Sequence, residues 1–105
     1  MTTFALKQGD TSPTLSYELL PTTVDLTGAT VVFNMARRGV TVLDRAAAVV
    51  TTATGTPTVS YEWQAGDSSL EGIHLAEFEV TYSNGSVETF PNGDYIYIKV
   101  LPDLG

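Results

Sequence analysis

The stretch Gly72–Tyr82, GIHLAEFEVTY, decides how this chain is read. His74, Ala76, Phe78, Val80 and Tyr82 fall on one side of an extended strand. Leu75, Glu77, Glu79 and Thr81 fall on the other, because successive side chains of a strand point to opposite faces. One row is almost wholly apolar and the other is mixed. A half-buried β-strand is therefore expected, with the only histidine of the chain opening the core-facing row.

The same alternation recurs outward from this strand. Phe4 and Leu6 share a face in TFALK. Leu15, Tyr17 and Leu19 share one in PTLSYEL, which Pro13 can open. Val31, Phe33 and Met35 oppose Thr30, Val32 and Asn34, and Val59, Tyr61 and Trp63 oppose Thr58, Ser60 and Glu62. In DYIYIKVL, Ile96, Ile98 and Val100 alternate with Tyr95, Tyr97 and Lys99. Both faces of that last run are fairly apolar, so it is expected to be a central strand or one covered on its second face. Turn signals come roughly every eight to twelve residues, the rhythm of a sandwich or barrel. Asn84-Gly85 marks a hairpin, since both residues tolerate positive φ. Pro91–Asp94 marks a second turn, and 25–29 and 66–72 read as loops. Segment 40–53 reads as a strand pair rather than a helix. The expected fold is all-β: one immunoglobulin-like antiparallel β-sandwich of about seven to nine strands over residues 1–105, a length that suits one domain.

The 105 residues include five Lys and Arg, twelve Asp and Glu, and no Cys, giving a net charge of −7. This acidity argues against nucleic-acid binding, which needs cationic contacts to phosphates, and against anionic membrane surfaces. The absence of Cys excludes thiol chemistry and thiolate metal sites. The N-terminus lacks the pattern of a signal peptide and no apolar run is long enough to span a bilayer, so synthesis in the cytosol is expected. His74 lies in an apolar row and no Gly-x-Ser-x-Gly elbow is present, so a Ser–His–Asp triad is not expected. Asp67 and Glu71 flank a loop, but calcium wants about six oxygen ligands or more, and the reading is a solvated acidic loop. Glu77 and Glu79 share the outer face of one strand without a sign of the cleft that paired glycosidase carboxylates occupy. No catalytic residue, metal ligand or cofactor is expected. Tyr95 and Tyr97, opposite the core row of the last strand, are candidate interface residues, because Tyr joins apolar area to a hydroxyl. Phe4, on a terminal strand able to reach a neighbour, is the third.

Three phrases, KQGDTSPTLSYEL (7–19), DLTGATVVFNM (25–35) and GIHLAEFEVTYSNGSVETFPNGDYIYIKV (72–100), resemble, in order and spacing, the N-terminal domain of the phage baseplate upper protein family. The resemblance spans nearly the whole chain. It implies an immunoglobulin-like, non-enzymatic domain of a phage tail or baseplate, assembled in the host bacterial cytoplasm. In the virion it would dock on other phage structural proteins as multiple copies in a symmetric assembly. His74 stands where the family usually has Tyr, a position like the tyrosine corner of sandwich domains. That implies a packing role for its ring. Longer members continue into segments that hold the receptor-binding protein. This sequence ends at Gly105, so the docking domain alone is expected. Two alternatives accompany this reading: a capsid decoration protein, and a module for host-surface sugar, which would need exposed aromatics over a polar groove.

Overall fold

The alternating residues 72–81 form the longest strand of the computed structural model, which describes residues 2–19 and 24–104. Nine strands are present among these residues and no helix: β1 (Thr2–Lys7), β2 (Leu15–Glu18), β3 (Thr30–Arg37), β4 (Val40–Ala47), β5 (Val49–Thr52), β6 (Thr58–Tyr61), β7 (Gly72–Thr81), β8 (Val87–Phe90) and β9 (Ile96–Leu101). β7 is the centre of the larger sheet. One edge pairs with β3 over seven positions, from Thr30↔Thr81 to Ala36↔Leu75. The other edge is shared. β9 pairs with its first half, His74 opposite Ile98, and β8 with its second half, Phe78 opposite Phe90.

β8 and β9 are therefore successive pieces along the same edge of β7. The hairpin expected at Asn84-Gly85 joins β7 to β8, with Gly85 at φ 90°. Residues 91–94, the second expected turn, lie between β8 and β9. They interrupt this edge, because Pro91 has no N–H for the ladder and Asn92-Gly93 lets the chain loop out.

The larger sheet runs β1-β9-β7-β3-β4, with β8 beside β7, and the smaller runs β2-β6-β5. Immunoglobulin-like sandwiches place strands B, E and D in one sheet and G, F and C in the other, with C′ added in the variable type. The orders β2-β6-β5 and β9-β7-β3-β4 reproduce this arrangement. One pair departs from the antiparallel expectation: β1 lies parallel to β9, from Thr2↔Ile96 to Lys7↔Leu101. No hairpin joins these two strands, so nothing in the connection imposes opposite directions on them. β9 is thereby a central strand, flanked by β1 on one edge and β7 on the other. Segment 40–53 is two strands, as expected, but they belong to different sheets. β4 pairs with β3, β5 pairs with β6, and Ala48 alone links them. One residue is too short for a hairpin loop, so the chain turns the corner of the sandwich instead.

The core rows are the expected ones. Val31, Phe33, Met35, Val59, Tyr61, Trp63, Ala76, Phe78, Val80, Ile96, Ile98 and Val100 are all buried. Tyr82, at the end of its row, is half-buried and donates its hydroxyl to Glu88 at 2.7 Å. Phe33 is the junction. Its ring stacks on Tyr61 of the facing sheet at 4.6 Å, meets Trp63 edge-on at 5.8 Å and tilts against Phe78 at 4.9 Å. Truncating a buried aromatic at such a point removes its transfer energy and leaves a cavity. Phe33→Ala is expected to lower unfolding stability by ~3–5 kcal/mol, a large part of the ~5–15 kcal/mol typical of a domain. Urea denaturation at fixed temperature checks this, and a loss under ~1 kcal/mol would contradict the role given to the ring.

Candidate functional site

His74 is fully buried at the start of β7, facing the core with Ala76 and Phe78. Its Nδ1 lies 3.3 Å from the Gly72 carbonyl oxygen. A carbonyl can only accept, so the neutral ring carries its proton on Nδ1. Nε2 is then a bare lone pair, buried without a partner, and the indole Nε1–H of Trp63 is a buried donor likewise without one. Loss of hydration pushes the His74 pKa below its ordinary range. The carbonyls of Gly72 and Ile98 pull it back, and the Arg37 guanidinium pushes it further down. What the ring does here is pack and donate one hydrogen bond.

The acidic loop also has structural contacts. Asp67 Oδ2 accepts from the Tyr61 hydroxyl at 2.5 Å and from the Gln64 amide at 2.7 Å, tying the loop to the end of β6. Burial, then this carboxylate, push the Tyr61 pKa up. Among the described residues, no group of three or more His, Cys, Asp or Glu is arranged to hold a metal ion.

The outer face of the larger sheet carries the exposed apolar side chains of β7. Register aligns Ala5, Lys99 and Ile73 in one row across β1, β9 and β7. The next row holds Thr3, Tyr97, Leu75 and Ala36. Ile73 is 50% exposed and Leu75 39%. The half-buried Tyr97 ring stands between Thr3 and Leu75, its hydroxyl donating to Asp94 at 3.3 Å. Of the three candidate interface residues, Tyr95 and Tyr97 thus have places on or beside this face, Tyr95 being 45% exposed. Phe4 turns inward, half-buried and stacked on Trp63 at 5.9 Å. It offers a neighbour the free backbone edge of β1 rather than its ring.

A groove of about 550 Å³ lies on the same face, beside this apolar patch. A β-bulge shapes it. Phe33 pairs with Ala46 and Met35 with Leu43, so Asp44 and Arg45 together oppose the single residue Asn34. Bulges bend a strand and re-aim its side chains. Arg45 sits at φ 53°, in the left-handed region that non-glycine residues rarely occupy, and its N–H donates to Asn34 Oδ1 at 2.7 Å. The side chain then reaches back over the sheet to Glu79, Nη1 to Oε1 at 2.6 Å. Asn34, Leu75, Glu77 and Glu79 form the floor, Asp44 and Arg45 one wall, and Tyr95 lines the groove with them. A second concavity of about 320 Å³ shares Glu77 and Tyr95 and continues to Asn92 and Asp94 of the β8–β9 loop.

Reading of the sequence missed Asn34, Arg45, Ile73 and Leu75. The period-2 pattern had already put Asn34 and Leu75 on outer faces. Nothing local marks Arg45, whose conformation is usually reported by Gly, Asn or Asp.

No family model matches this chain, and no curated protein and no solved structure does so.

The lowered His74 pKa has a consequence for stability. The unfolded chain, with a histidine near its ordinary value of about 6.5, binds the proton more tightly than the folded one. The stability associated with the neutral ring is complete above that value and declines as pH falls through it. His74→Gln keeps a donor for the Gly72 carbonyl but does not titrate in this range. Thermal midpoints between pH 8 and pH 5 (about 1.5 units either side of the ordinary histidine value) are expected to fall more steeply for the parent chain than for His74→Gln. Parallel curves would remove the buried neutral histidine as a source of acid sensitivity.

Proposed function

We propose that this chain is a non-enzymatic structural module of a phage particle, a docking domain of the tail or baseplate. The observation that carries the proposal is the exposed row of Ile73 and Leu75 beside Tyr97, adjoining the open edge of β1. Apolar side chains gathered on one face and rimmed by polar ones suit a protein partner better than bulk water. Lys7 and Lys99 lie on the β1 side of this patch and Asp94 at the Tyr97 hydroxyl, so its rim carries charge of both signs. The resemblance of the motif order to the baseplate upper protein family is the support for the setting.

The free edge adds a second element. β1 runs six residues in unbroken register with β9, and its one charged residue, Lys7, is at the end. The opposite edge strand, β4, is bent by its bulge and carries Asp44 and Arg45. Bulges and charges of this kind discourage strand addition, and an edge without them accepts it. A neighbour can therefore add a strand along β1 while covering the Ile73–Leu75–Tyr97 surface.

Mass spectrometry of density-purified particles from an induced lysate of the strain carrying this sequence tests the proposal. The chain is expected in the tail fraction. Its absence from all particles overturns the proposal, and its presence in isolated heads alone would replace a tail role by capsid decoration. Tyr97→Ala is expected to leave the free domain folded, because the ring lies outside the core, and to weaken docking by ~2 kcal/mol or more. Incorporation at the parental level would remove Tyr97 from the docking surface.

A further inference from the structure

The groove beside this patch has a chemistry of its own. Its lining carries two guanidinium groups, Arg38 and Arg45, against three carboxylates, Asp44, Glu77 and Glu79. Opposite charges so nearly balanced give a polyanion or polycation little net attraction. The lining also holds charged groups among its apolar ones, and a purely apolar ligand would strip these of water without replacing their hydrogen bonds. A ligand that suits it is uncharged, rich in hydroxyls that both donate and accept, and apolar on one side.

The donors and acceptors are placed for such a ligand. Glu77 forms no ion pair among the described residues, so both its oxygens can accept. Asn34 uses its carbonyl oxygen for the Arg45 amide, which leaves its NH₂ as a donor. The Arg45–Glu79 pair places a guanidinium and a carboxylate side by side at 2.6 Å, a donor next to an acceptor. Vicinal hydroxyls are recognised by this kind of pairing, because each hydroxyl gives one hydrogen bond and takes others. Tyr95 supplies the apolar complement: the residue is 45% exposed and bounds both concavities. Pockets that bind small ligands combine apolar or aromatic surface with a few placed polar groups in this way.

We propose that the groove binds a neutral oligosaccharide. Tyr95 packs against the C–H face of one sugar ring. Glu77, Asn34 and the Arg45–Glu79 pair take its hydroxyls. Because the two concavities meet at Tyr95 and Glu77, the site extends to a second sugar unit on the Asn92–Asp94 side. This site does not depend on docking into a particle, and its test uses the free chain.

The experiment is a ¹H–¹⁵N NMR titration of the whole chain with maltose, cellobiose, lactose, mannobiose and N,N′-diacetylchitobiose. 3′-Sialyllactose serves as the charged comparison. Concentrations run to about 20 mM, enough to detect a dissociation constant of ~1 mM. At least one neutral sugar is expected to shift the amides of Asn34, Arg45, Glu77 and Tyr95 while leaving β2, β5 and β6 unmoved. Tyr95→Ala, whose spectrum also reports its folding, is expected to weaken that sugar at least about tenfold. Tyr95→Phe should retain it. The proposal is overturned if none of the neutral sugars shifts these amides or if only sialyllactose does. It is equally overturned if the affected amides lie elsewhere, or if Tyr95→Ala binds as the parent does.

Discussion

Phe33 stands where the two sheets must agree on their spacing. Its contact with Tyr61, 4.6 Å between ring centroids, crosses the sandwich, and its contact with Phe78 runs along the larger sheet. Sheets packed face to face lie about 10 Å apart, and interdigitating aromatics fill that gap. Trp63 meets both Phe33 and Tyr61 edge-on and stacks with Phe4, so the network extends to β1. Any shift of β3 relative to β6 would separate rings that are engaged on several sides. The register of β3 against β7, and through β7 of β9 and β8, is set by the same buried row.

A strand locked in this way has both faces defined. With His74, Ala76, Phe78 and Val80 held inward, Ile73, Leu75, Glu77 and Glu79 are held outward at fixed spacing. A slip by one residue would exchange the two sets, and burying Glu77 and Glu79 would oppose it strongly. The proposed docking surface and the proposed sugar groove are therefore two parts of one rigid sheet face. At the β1 side this face is apolar and cationic. Toward β4 it is concave and carries charges of both signs.

The concavity lies where the β3–β4 pairing is irregular, with register shifts on both sides of Met35. Without the extra residue opposite Asn34, Asp44 and Arg45 would alternate along a flat edge strand, and the guanidinium would not fold back to Glu79. The backbone cost of Arg45 in the left-handed region is offset by the amide bond to Asn34 and the ion pair. The β3–β4 turn also has two residues at positive φ, Arg38 at 52° and Gly39 at 79°. That is the pattern of the tight hairpin turns that match strand twist, made here with Arg in place of the usual Asn.

The sequence by itself determined that the chain is all-β, which residues face the core, and that His74 belongs to that core. These follow from period-2 alternation, a local property that holds for any sheet the strand joins, and burial of Phe33, Phe78, Ile96 and Ile98 agrees with it. Only the tertiary structure decided which strands meet. The parallel β1–β9 pair, the division of β4 and β5 between sheets and the succession of β8 and β9 along β7 are choices among partners distant in sequence. Alternation is silent on such choices, because each pairing satisfies the same pattern. Tyr95 and Tyr97 were legible as outward aromatics. Their separation into a groove residue and a patch residue was not, since it rests on a bulge at Asp44–Arg45 of β4 and a break at Pro91 in the β8–β9 loop. Phe4 was legible as part of an inward row with Leu6. Its stacking on Trp63, which assigns it to the core, needed the two sheets in place.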